Sequence, residues 1–393
     1  MDIQNLHINT QLIHPSDQKE SLGSITLPIY QTSTFEFQDA QHGADLFAGK
    51  ENGFIYTRMG NPTIRELENA LCILERGSGA IATSTGMGAI SGMYMALLSK
   101  GDHILSTASV YGNSRAILES EFAKFGIEST FIDTSDLNLI QKSIKSHTKI
   151  FFVETPANPS LSITDIEAVS QIAKKNKLIF VVDNTFCSPI NQRPLELGAD
   201  IVIHSLTKLI SGHSDVLGGV VIAKDEALNK KLRTTITRMG CTMDPHQAFL
   251  IHRGLKTLSV RIEKAQSNAE KIAKYMHSNK KFAYLCYPGL KFHPQHLIAK
   301  RQMKGFGTII TFDLDESAEK AKLFLNQLKL IRLAVSLGSV ESLIQHPASM
   351  THSVLSPKER EECGIHAGLI RLSVGIEEAE DLIADIEQAS KNI

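Results

Sequence analysis

Residues 178–208 decide the fold, and they read LIFVVDNTFCSPINQRPLELGADIVIHSLTK. Two short apolar segments lie in this stretch, at 178–182 and 201–203, and polar residues follow each of them directly. Segments of this kind are typical of parallel strands that are buried on both faces of a sheet. Such sheets carry their chemistry at the carboxyl ends of the strands, so the residues after each segment are the first candidates for a functional site.

Further apolar segments of the same kind occur on both sides of this stretch, and helical patterns separate most of them. Helical periodicity is seen, for example, at 90–98 and at 166–175. The alternation predicts an α/β fold with a mostly parallel, seven-stranded sheet that helices cover on both faces. The predicted strands are 80–83, 103–106, 129–132, 149–154, 178–183, 200–204 and 219–223.

The first 60 residues have no regular periodicity, and we predict that residues 1–60 form an arm that crosses a surface. A helix is predicted to begin at Pro62, because proline favours the first turn and Glu66 stands at capping-box spacing from Thr63. This helix marks the start of a large domain, which we place at 61–250.

The pattern changes beyond about residue 250. An amphipathic stretch at 252–280 precedes strand-like segments at 308–314 and 330–336, and helical patterns lie between and after them. We therefore predict a second, smaller α/β domain at 251–393.

The composition excludes several classes of protein. With 41 basic and 42 acidic side chains the formal net charge is −1, so the chain lacks the basic face that a nucleic-acid binder needs. No apolar run approaches the roughly 20 residues of a membrane helix, and the first residues lack the pattern of a signal peptide. The five cysteines include no C-x-x-C pair, which favours a cytoplasmic location without disulfides. We predict no metal site.

Three segments carry residues that are suited to chemistry. The glycine-rich loop at 84–88 lies between a predicted strand and a predicted helix, where backbone amides can bind a phosphate. Asp183 ends the most apolar strand, where a carboxylate is a poor core residue. Lys208 follows the next strand, close to the hydroxyls of Ser205 and Thr207. Burial near the sheet would lower the pKa of the lysine amine and make it a usable nucleophile.

Each segment also has a plainer interpretation. The loop at 84–88 is compatible with a helix-capping turn, or with the degraded dinucleotide fingerprint of a nicotinamide dehydrogenase. Asp183 could cap a helix, and Lys208 could be a solvated side chain. Ser205 and Lys208 fit the S-x-x-K pattern of penicillin-binding enzymes, but the S-D-N and K-T-G motifs that this class requires do not occur.

Together, the three segments contain the parts that pyridoxal 5'-phosphate (PLP) requires. A lysine forms a Schiff base with this cofactor, and an aspartate keeps its pyridine nitrogen protonated so that the ring accepts electrons. A loop of backbone amides holds the phosphate. We therefore predict PLP as the cofactor, with Lys208 and Asp183 as catalytic residues.

Four motifs resemble those of the Cys/Met-metabolism (transsulfuration) family of PLP-dependent enzymes. The resemblance runs from about Gln31 to Asp385. It implies the PLP-dependent transferase fold type I, which is similar to aspartate aminotransferase in architecture. The four motifs are YTRMGNPT at 56–63, ETPANP at 154–159, the cofactor-lysine run at 200–219 and RLSVGIE at 371–377.

The resemblance implies which residues bind the cofactor. Backbone amides and hydroxyls would bind the phosphate, Asn158 would support the ring oxygen, and Tyr111 would stack on the pyridine ring and act as a catalytic acid and base. Tyr56 and Arg58 would reach the phosphate of a neighbouring subunit, as in a homotetramer built from two dimers that share active sites. The implied cofactor-binding set is Tyr56, Arg58, Gly86, Met87, Tyr111, Asn158, Asp183, Ser205, Thr207 and Lys208.

The resemblance also implies how a small amino-acid substrate is bound. Arg371 would clamp the α-carboxylate with two parallel hydrogen bonds, a geometry that lysine does not reproduce. Ser336 would support the same carboxylate, and Tyr111 would lie against the substrate.

Members of the family differ in their substrates, and the position before Tyr56 is informative. The resemblance implies that enzymes acting on cystathionine usually have an acidic residue there, which can pair with the distal ammonium group. Ile55 is apolar, as in methionine γ-lyases, and suits a thioether methyl group. Residues 54–58 and 342–352 also resemble the methionine γ-lyase versions. Asn113 differs, because methionine γ-lyases typically have cysteine at this position.

We therefore predict a PLP-dependent carbon–sulfur lyase that converts L-methionine to methanethiol, 2-oxobutanoate and ammonia by γ-elimination. Cystathionine γ-lyase, cystathionine γ-synthase and O-acetylhomoserine sulfhydrylase activities are the alternatives, and an NAD-dependent dehydrogenase is a distant one. A non-catalytic relative is disfavoured, because the four residues that such a protein tends to lose are all present: Lys208, Asp183, Tyr111 and Arg371.

Overall fold

A computed structural model describes residues 3–15, 23–314, 317–353 and 355–391. All seven strands predicted for the large domain form, and they build one sheet. They are β1 (Gly79–Thr83), β2 (His103–Thr107), β3 (Glu128–Ile132), β4 (Thr148–Glu154), β5 (Ile179–Asp183), β6 (Ile201–Ser205) and β7 (Gly219–Ala223). Their order is β1-β7-β6-β5-β4-β2-β3. Strand β7 runs antiparallel to β1 and β6, and the other neighbouring pairs are parallel, which confirms the predicted sheet.

Helices cover both faces of this sheet because its strands are apolar on both faces. On β4, Phe151 and Val153 pack into the core on one face, whereas Ile150 and Phe152 pack into the core on the other. The helices of this part are α1 (Ile8–Ile13), α2 (Ala40–Phe47), α3 (Pro62–Glu75), α4 (Gly86–Leu97), α5 (Gly112–Ala116), α6 (Leu137–Ser143), α7 (Ile166–Lys175), α8 (Ser188–Asn191), α9 (Glu226–Met239) and α10 (Pro245–Leu255).

A second sheet lies beyond α10. Its strands are β8 (Tyr284–Cys286), β9 (Ile309–Asp313), β10 (Arg332–Leu333), β11 (Leu343–Gln345) and β12 (Ile370–Ser373), in the order β10-β11-β12-β9-β8. The strand predicted at 308–314 is β9. The one predicted at 330–336 shortens to β10, and Ser336 has a φ of +83°, which no strand accommodates. The helices here are α11 (Leu258–Ser278), α12 (His296–Gln302), α13 (Ala318–Gln327), α14 (Pro357–Glu362) and α15 (Ala379–Ala389).

The start of α3 differs from the prediction. Asn61 caps the helix, with its side chain accepting from the backbone N–H of Thr63. The hydroxyl of Thr63 instead donates to the carbonyl of Pro28 at 2.8 Å and accepts from the N–H of Tyr30 at 2.9 Å. The predicted capping box was wrong because Thr63 serves to attach the N-terminal segment to the helix.

The N-terminal segment also contains α1 and α2, which the sequence did not predict because both are short. The predicted boundary at 250/251 lies inside α10, and the stretch predicted at 252–280 divides between α10 and α11. The division into an arm, a PLP-binding domain and a C-terminal domain stays a prediction. Residues 1–2, 16–22, 315–316, 354 and 392–393 of these predicted units lie outside the described residues. Over the ranges that the structure describes, none of the helices combines the length and apolar character needed to cross a membrane.

Candidate active site

The carboxyl ends of β1, β4, β5 and β6 meet at one edge of the large sheet, where Gly86, Glu154, Asp183 and Ser205 lie. Strand β1 shares the direction of β6 because both are antiparallel to β7. The predicted candidates therefore come together through the strand order, although they are far apart in the sequence.

The loop after β1 forms a small, amide-lined cradle. Thr85 caps α4, its hydroxyl accepting from the N–H of Gly88 at 2.9 Å. A Cβ atom on Gly86 would lie only 3.0 Å from Cβ and 3.1 Å from Oγ of Ser205, so glycine brings the helix N-terminus against that hydroxyl. The hydroxyl of Thr207 bonds to the backbone of Gly218 instead, accepting from its N–H at 3.0 Å.

Asp183 is a buried carboxylate at the end of β5. Its Oδ1 accepts from the N–H of Thr185 at 3.0 Å and from the Thr185 hydroxyl at 2.6 Å. That hydroxyl in turn accepts from the N–H of Ser205 at 2.8 Å. Burial raises the pKa of Asp183, and the bonds from Thr185 oppose the shift because they stabilise the ionised form.

Lys208 lies in the turn after β6, and its Nζ donates to Oγ of Ser336 at 2.7 Å. Burial, and secondarily the charge of Arg371, lower the pKa of the amine to about 8. The loop that contains Ser336 packs against the turn that carries Lys208. Ser336 has a left-handed backbone conformation, and a Cβ atom on Gly338 would lie only 2.6 Å from the amide nitrogen of Leu209.

Arg371 lies in the middle of the small sheet, on β12, and faces the same site. Its Nη1 donates to Oδ1 of Asn158 at 2.9 Å and its Nη2 to the carbonyl of Ser336 at 2.5 Å. Burial lowers the pKa of the guanidinium to about 10, and Glu154 opposes this shift. Within the described residues its Nε has no partner, so the buried guanidinium keeps hydrogen-bonding capacity for a ligand.

Tyr111 precedes α5, and 38% of it is exposed, so its ring is accessible to a ligand. Its backbone N–H donates to Oε2 of Glu154 at 2.8 Å. Its hydroxyl accepts from Nδ2 of Asn113 at 2.9 Å. Asn113, which departs from the family pattern, therefore contacts the side chain predicted to act as acid and base.

Two predicted residues are not brought to this site. The guanidinium of Arg58 lies 5.9 Å from the ring centroid of Tyr56, and its Nη1 donates to the carbonyl of Thr237 at 3.1 Å. In the part of the chain that the structure describes, no contact joins either residue to Lys208, Asp183 or Arg371. Their predicted role toward a neighbouring subunit stays a prediction.

The structure adds two site residues to which the sequence analysis gave no role, although both lie in segments that resemble the family. Glu154 lies beside Asp183, as its register partner on the neighbouring strand. Gln345 is the register partner of Arg371, and with its amide oxygen facing the guanidinium it accepts from Nη1 and Nη2 at 3.2 Å each. The available signals were the family-like segments at 154–159 and 342–352 and the presence of a polar residue within a buried strand.

PLP fits this set of groups. The cradle at Gly86 and Ser205 offers amides and a hydroxyl to a phosphate, and Asp183 offers a buried anion to a protonated pyridine nitrogen. Lys208 has a part-buried amine whose depressed pKa favours attack on an aldehyde, and Arg371, which also bonds to Ser336, can bind a carboxylate beside it. The fold and the site define a PLP-dependent enzyme of fold type I.

The known proteins that this chain resembles agree with that class. Residues 9–391 match the model of the family described as Cys/Met metabolism PLP-dependent enzyme. An L-methionine gamma-lyase of Fusobacterium nucleatum subsp. polymorphum is 47% identical, with 100% of each chain covered. A cystathionine gamma-lyase of Bacillus subtilis is 44% identical over 95% of this chain and 96% of its own.

A solved structure, cystathionine gamma-lyase from Lactobacillus plantarum complexed with L-serine, superposes with a TM-score of 0.92 at 39% identity, covering 98% of each chain. The chain belongs to the Cys/Met metabolism family of PLP-dependent enzymes. PLP is its cofactor, and the interpretation of the loop at 84–88 as a dehydrogenase fingerprint does not hold.

Proposed function

We propose that this enzyme cleaves a carbon–sulfur bond by γ-elimination and that L-methionine is its preferred substrate. The products would be methanethiol, 2-oxobutanoate and ammonia, with one water consumed. The observation that carries the proposal is that the Lys208 amine and the Arg371 guanidinium both bond to Ser336, one to its hydroxyl and the other to its carbonyl. The site thereby combines a base for the Cα proton, Lys208, with a guanidinium that can bind the α-carboxylate, Arg371.

In the proposed enzyme, the cofactor is bound by the residues at the sheet edge. Asp183 would pair with the pyridine nitrogen, Tyr111 would stack on the ring and Lys208 would attach the cofactor covalently. The phosphate would be held by backbone amides and hydroxyls, and the ring oxygen by an amide. These phosphate and ring contacts are assigned to Gly86, Met87, Ser205, Thr207 and Asn158, with Tyr56 and Arg58 from a neighbouring subunit.

When bound, PLP supplies an electron sink for the charge that develops at Cα. Arg371 and Ser336 would hold the substrate carboxylate so that the Cα–H bond points toward Lys208. Because its pKa is lowered to about 8, the Lys208 amine is more readily present in its neutral form and would take this proton. It would later donate a proton within the site. Tyr111 would donate a proton to the departing sulfur, with Asn113 holding its hydroxyl in place.

Product analysis tests the reaction type. Purified enzyme incubated with L-methionine is expected to release methanethiol and 2-oxobutanoate in equal amounts, because γ-elimination leaves the four-carbon chain intact. The keto acid is identified by mass spectrometry, and the thiol by a colorimetric thiol reagent. Pyruvate from cystathionine, with no product from methionine, would show β-elimination and contradict the proposal.

The pH dependence of cofactor attachment follows from Lys208. Only the neutral amine attacks the PLP aldehyde, and with a pKa of about 8 its neutral fraction rises with pH through that value. The rate at which apoenzyme acquires the visible PLP absorbance is therefore expected to rise with a midpoint near pH 8. In Arg371→Gln the midpoint should move upward, because a nearby positive charge is lost. A midpoint near the free-lysine value of about 10.4 would contradict the assignment.

Two observations support the preference for methionine: the apolar Ile55 and the similarity of the chain to an L-methionine gamma-lyase. Replacing Ile55 with glutamate places a carboxylate where the distal ammonium group of cystathionine would lie. The ratio of kcat/KM values, methionine over cystathionine, is expected to fall at least about tenfold in Ile55→Glu. Ile55→Gln, which has similar size and no charge, is the matched control, and an equal fall in both variants would rule out ion pairing as the cause.

A second candidate is a cystathionine γ-lyase, a cystathionine γ-synthase or an O-acetylhomoserine sulfhydrylase. The observation that favours it is Asn113, whose amide occupies the position next to the Tyr111 hydroxyl where methionine γ-lyases typically have a thiol. The cystathionine gamma-lyase relatives support it as well. Preference for cystathionine, or for O-acetylhomoserine with sulfide, would establish it without changing the assigned residues.

We also propose that the enzyme is a homotetramer and that it is cytoplasmic. A homotetramer of two dimers that share active sites would use Tyr56 and Met59, which are 44% and 43% exposed in the single chain, at contacts with a neighbour. A cytoplasmic location is supported by the five cysteines, all free thiols.

A further inference from the structure

Glu154 ends β4 beside Asp183 and has no role in the reaction described above. The two residues are register partners on parallel strands, so their carboxyl groups project from the same face of the sheet, from strands about 4.8 Å apart. Both side chains are buried. A second carboxyl group in this place is costly, because two like charges at close range in a buried site repel each other.

The hydrogen bonds of Glu154 explain why it is there. Oε2 accepts from the backbone N–H of Tyr111 at 2.8 Å, and the backbone N–H of Asn158 lies close enough to the carboxyl group to stabilise its ionised form. Asn158 accepts from Nη1 of Arg371 at 2.9 Å. One carboxyl group thus connects the segment that carries Tyr111 to the residue that holds the carboxylate clamp.

The charge of Glu154 also follows from its surroundings. The ionisable groups that face it are Asp183 on β5, Arg371 on β12 and Tyr94 on α4. Burial, and then the nearby Asp183, raise the pKa of Glu154 well above its usual range. Asp183 keeps its charge more readily because Thr185 donates two hydrogen bonds to it. Burial and the proximity of Asp183 therefore favour the protonated form of Glu154, and the bonds from Thr185 favour the ionised form of Asp183.

We propose that Glu154 is a positioning residue: its carboxyl oxygen fixes Tyr111 over the cofactor and, through Asn158, keeps Arg371 aligned with the substrate. This inference rests on the proposed function, because it concerns the same PLP site. Glutamine in its place retains an accepting oxygen and carries no charge. Alanine has no acceptor.

The test compares Glu154→Ala with Glu154→Gln as PLP-loaded enzymes. In Glu154→Ala the ellipticity of the cofactor absorbance band should fall at least about twofold, and kcat for methionine should fall about 10- to 100-fold, because misplaced catalytic groups lose rate steeply. Glu154→Gln should keep the wild-type ellipticity, a kcat within about threefold of wild type and the wild-type kcat–pH profile between pH 6 and 8.

Glu75→Ala is the matched control. Its carboxyl group is also buried, but it accepts from His204 at 2.6 Å and from Asn184 at 3.0 Å, away from Tyr111. This variant should lower the melting temperature of the apoprotein without changing the ellipticity of bound PLP. Unchanged ellipticity and kcat in Glu154→Ala, or a glutamine variant as impaired as the alanine variant, would overturn the inference. Wild-type protein that fails to bind PLP would instead overturn the proposed function.

Discussion

Replacement of Lys208 by alanine is expected to abolish turnover and covalent cofactor attachment together. Among the residues that the structure describes, the Lys208 amine is the only candidate base that contacts Ser336. Its depressed pKa suits both proton transfer and covalent attachment of the cofactor. We expect kcat for methionine to fall at least about a thousandfold. Borohydride reduction followed by intact-mass analysis should show the cofactor adduct on wild-type protein and none on the variant.

Lys224→Ala is the matched control for this experiment, because Lys224 is an exposed lysine at the end of β7, in the same sheet. It should keep full activity and the reducible adduct. A Lys208→Ala enzyme that still formed a borohydride-reducible adduct would place the cofactor on another lysine and contradict the assignment of the site.

Asp183→Asn is expected to have the second largest effect. Asparagine keeps an oxygen that can accept both bonds from Thr185, so the geometry survives while the buried negative charge is lost. Without that charge the pyridine nitrogen of PLP is no longer held protonated, and kcat should fall on the order of a hundred- to a thousandfold. Steady-state kinetics with methionine and the absorbance spectrum of the bound cofactor measure both effects.

Asp200→Asn provides a matched comparison for the charge. Asp200 precedes β6 at the opposite edge of the sheet, and its Oδ2 accepts from the N–H of Phe180 at 2.9 Å, which asparagine can also do. This variant should retain kcat within about threefold. If Asp183→Asn were equally mild, the carboxylate would not be required and the proposed electron-sink role would fail.

The large sheet was predictable because each of its strands is apolar on both faces and ends in polar residues. Residues 178–183 and 200–204 show this pattern, and β5 and β6 form within one residue of it. The three chemical segments were predictable for the same reason, since carboxyl strand ends converge in a parallel sheet. The family motifs then indicated Arg371, which periodicity alone would have placed in a strand core.

The features that the sequence did not reveal depend on long-range contacts. Glu154 and Gln345 acquire their roles from the cross-strand partners Asp183 and Arg371, and register is not visible in a local pattern. The turn at Ser336 that ends β10 early follows from packing of its loop against Lys208. Thr63 was expected to cap α3 but binds Pro28, because the N-terminal segment returns to this helix.

The most direct test of the proposed function is to assay purified enzyme separately with L-methionine, with L-cystathionine and with O-acetylhomoserine plus sulfide. Each reaction is followed by the amount of its keto acid or, for O-acetylhomoserine with sulfide, its amino-acid thiol product under identical conditions. We expect the highest kcat/KM for methionine, with 2-oxobutanoate and methanethiol formed in equal amounts. A higher kcat/KM for cystathionine or for O-acetylhomoserine would contradict the proposed substrate, and no product from any of the three would contradict the proposed chemistry.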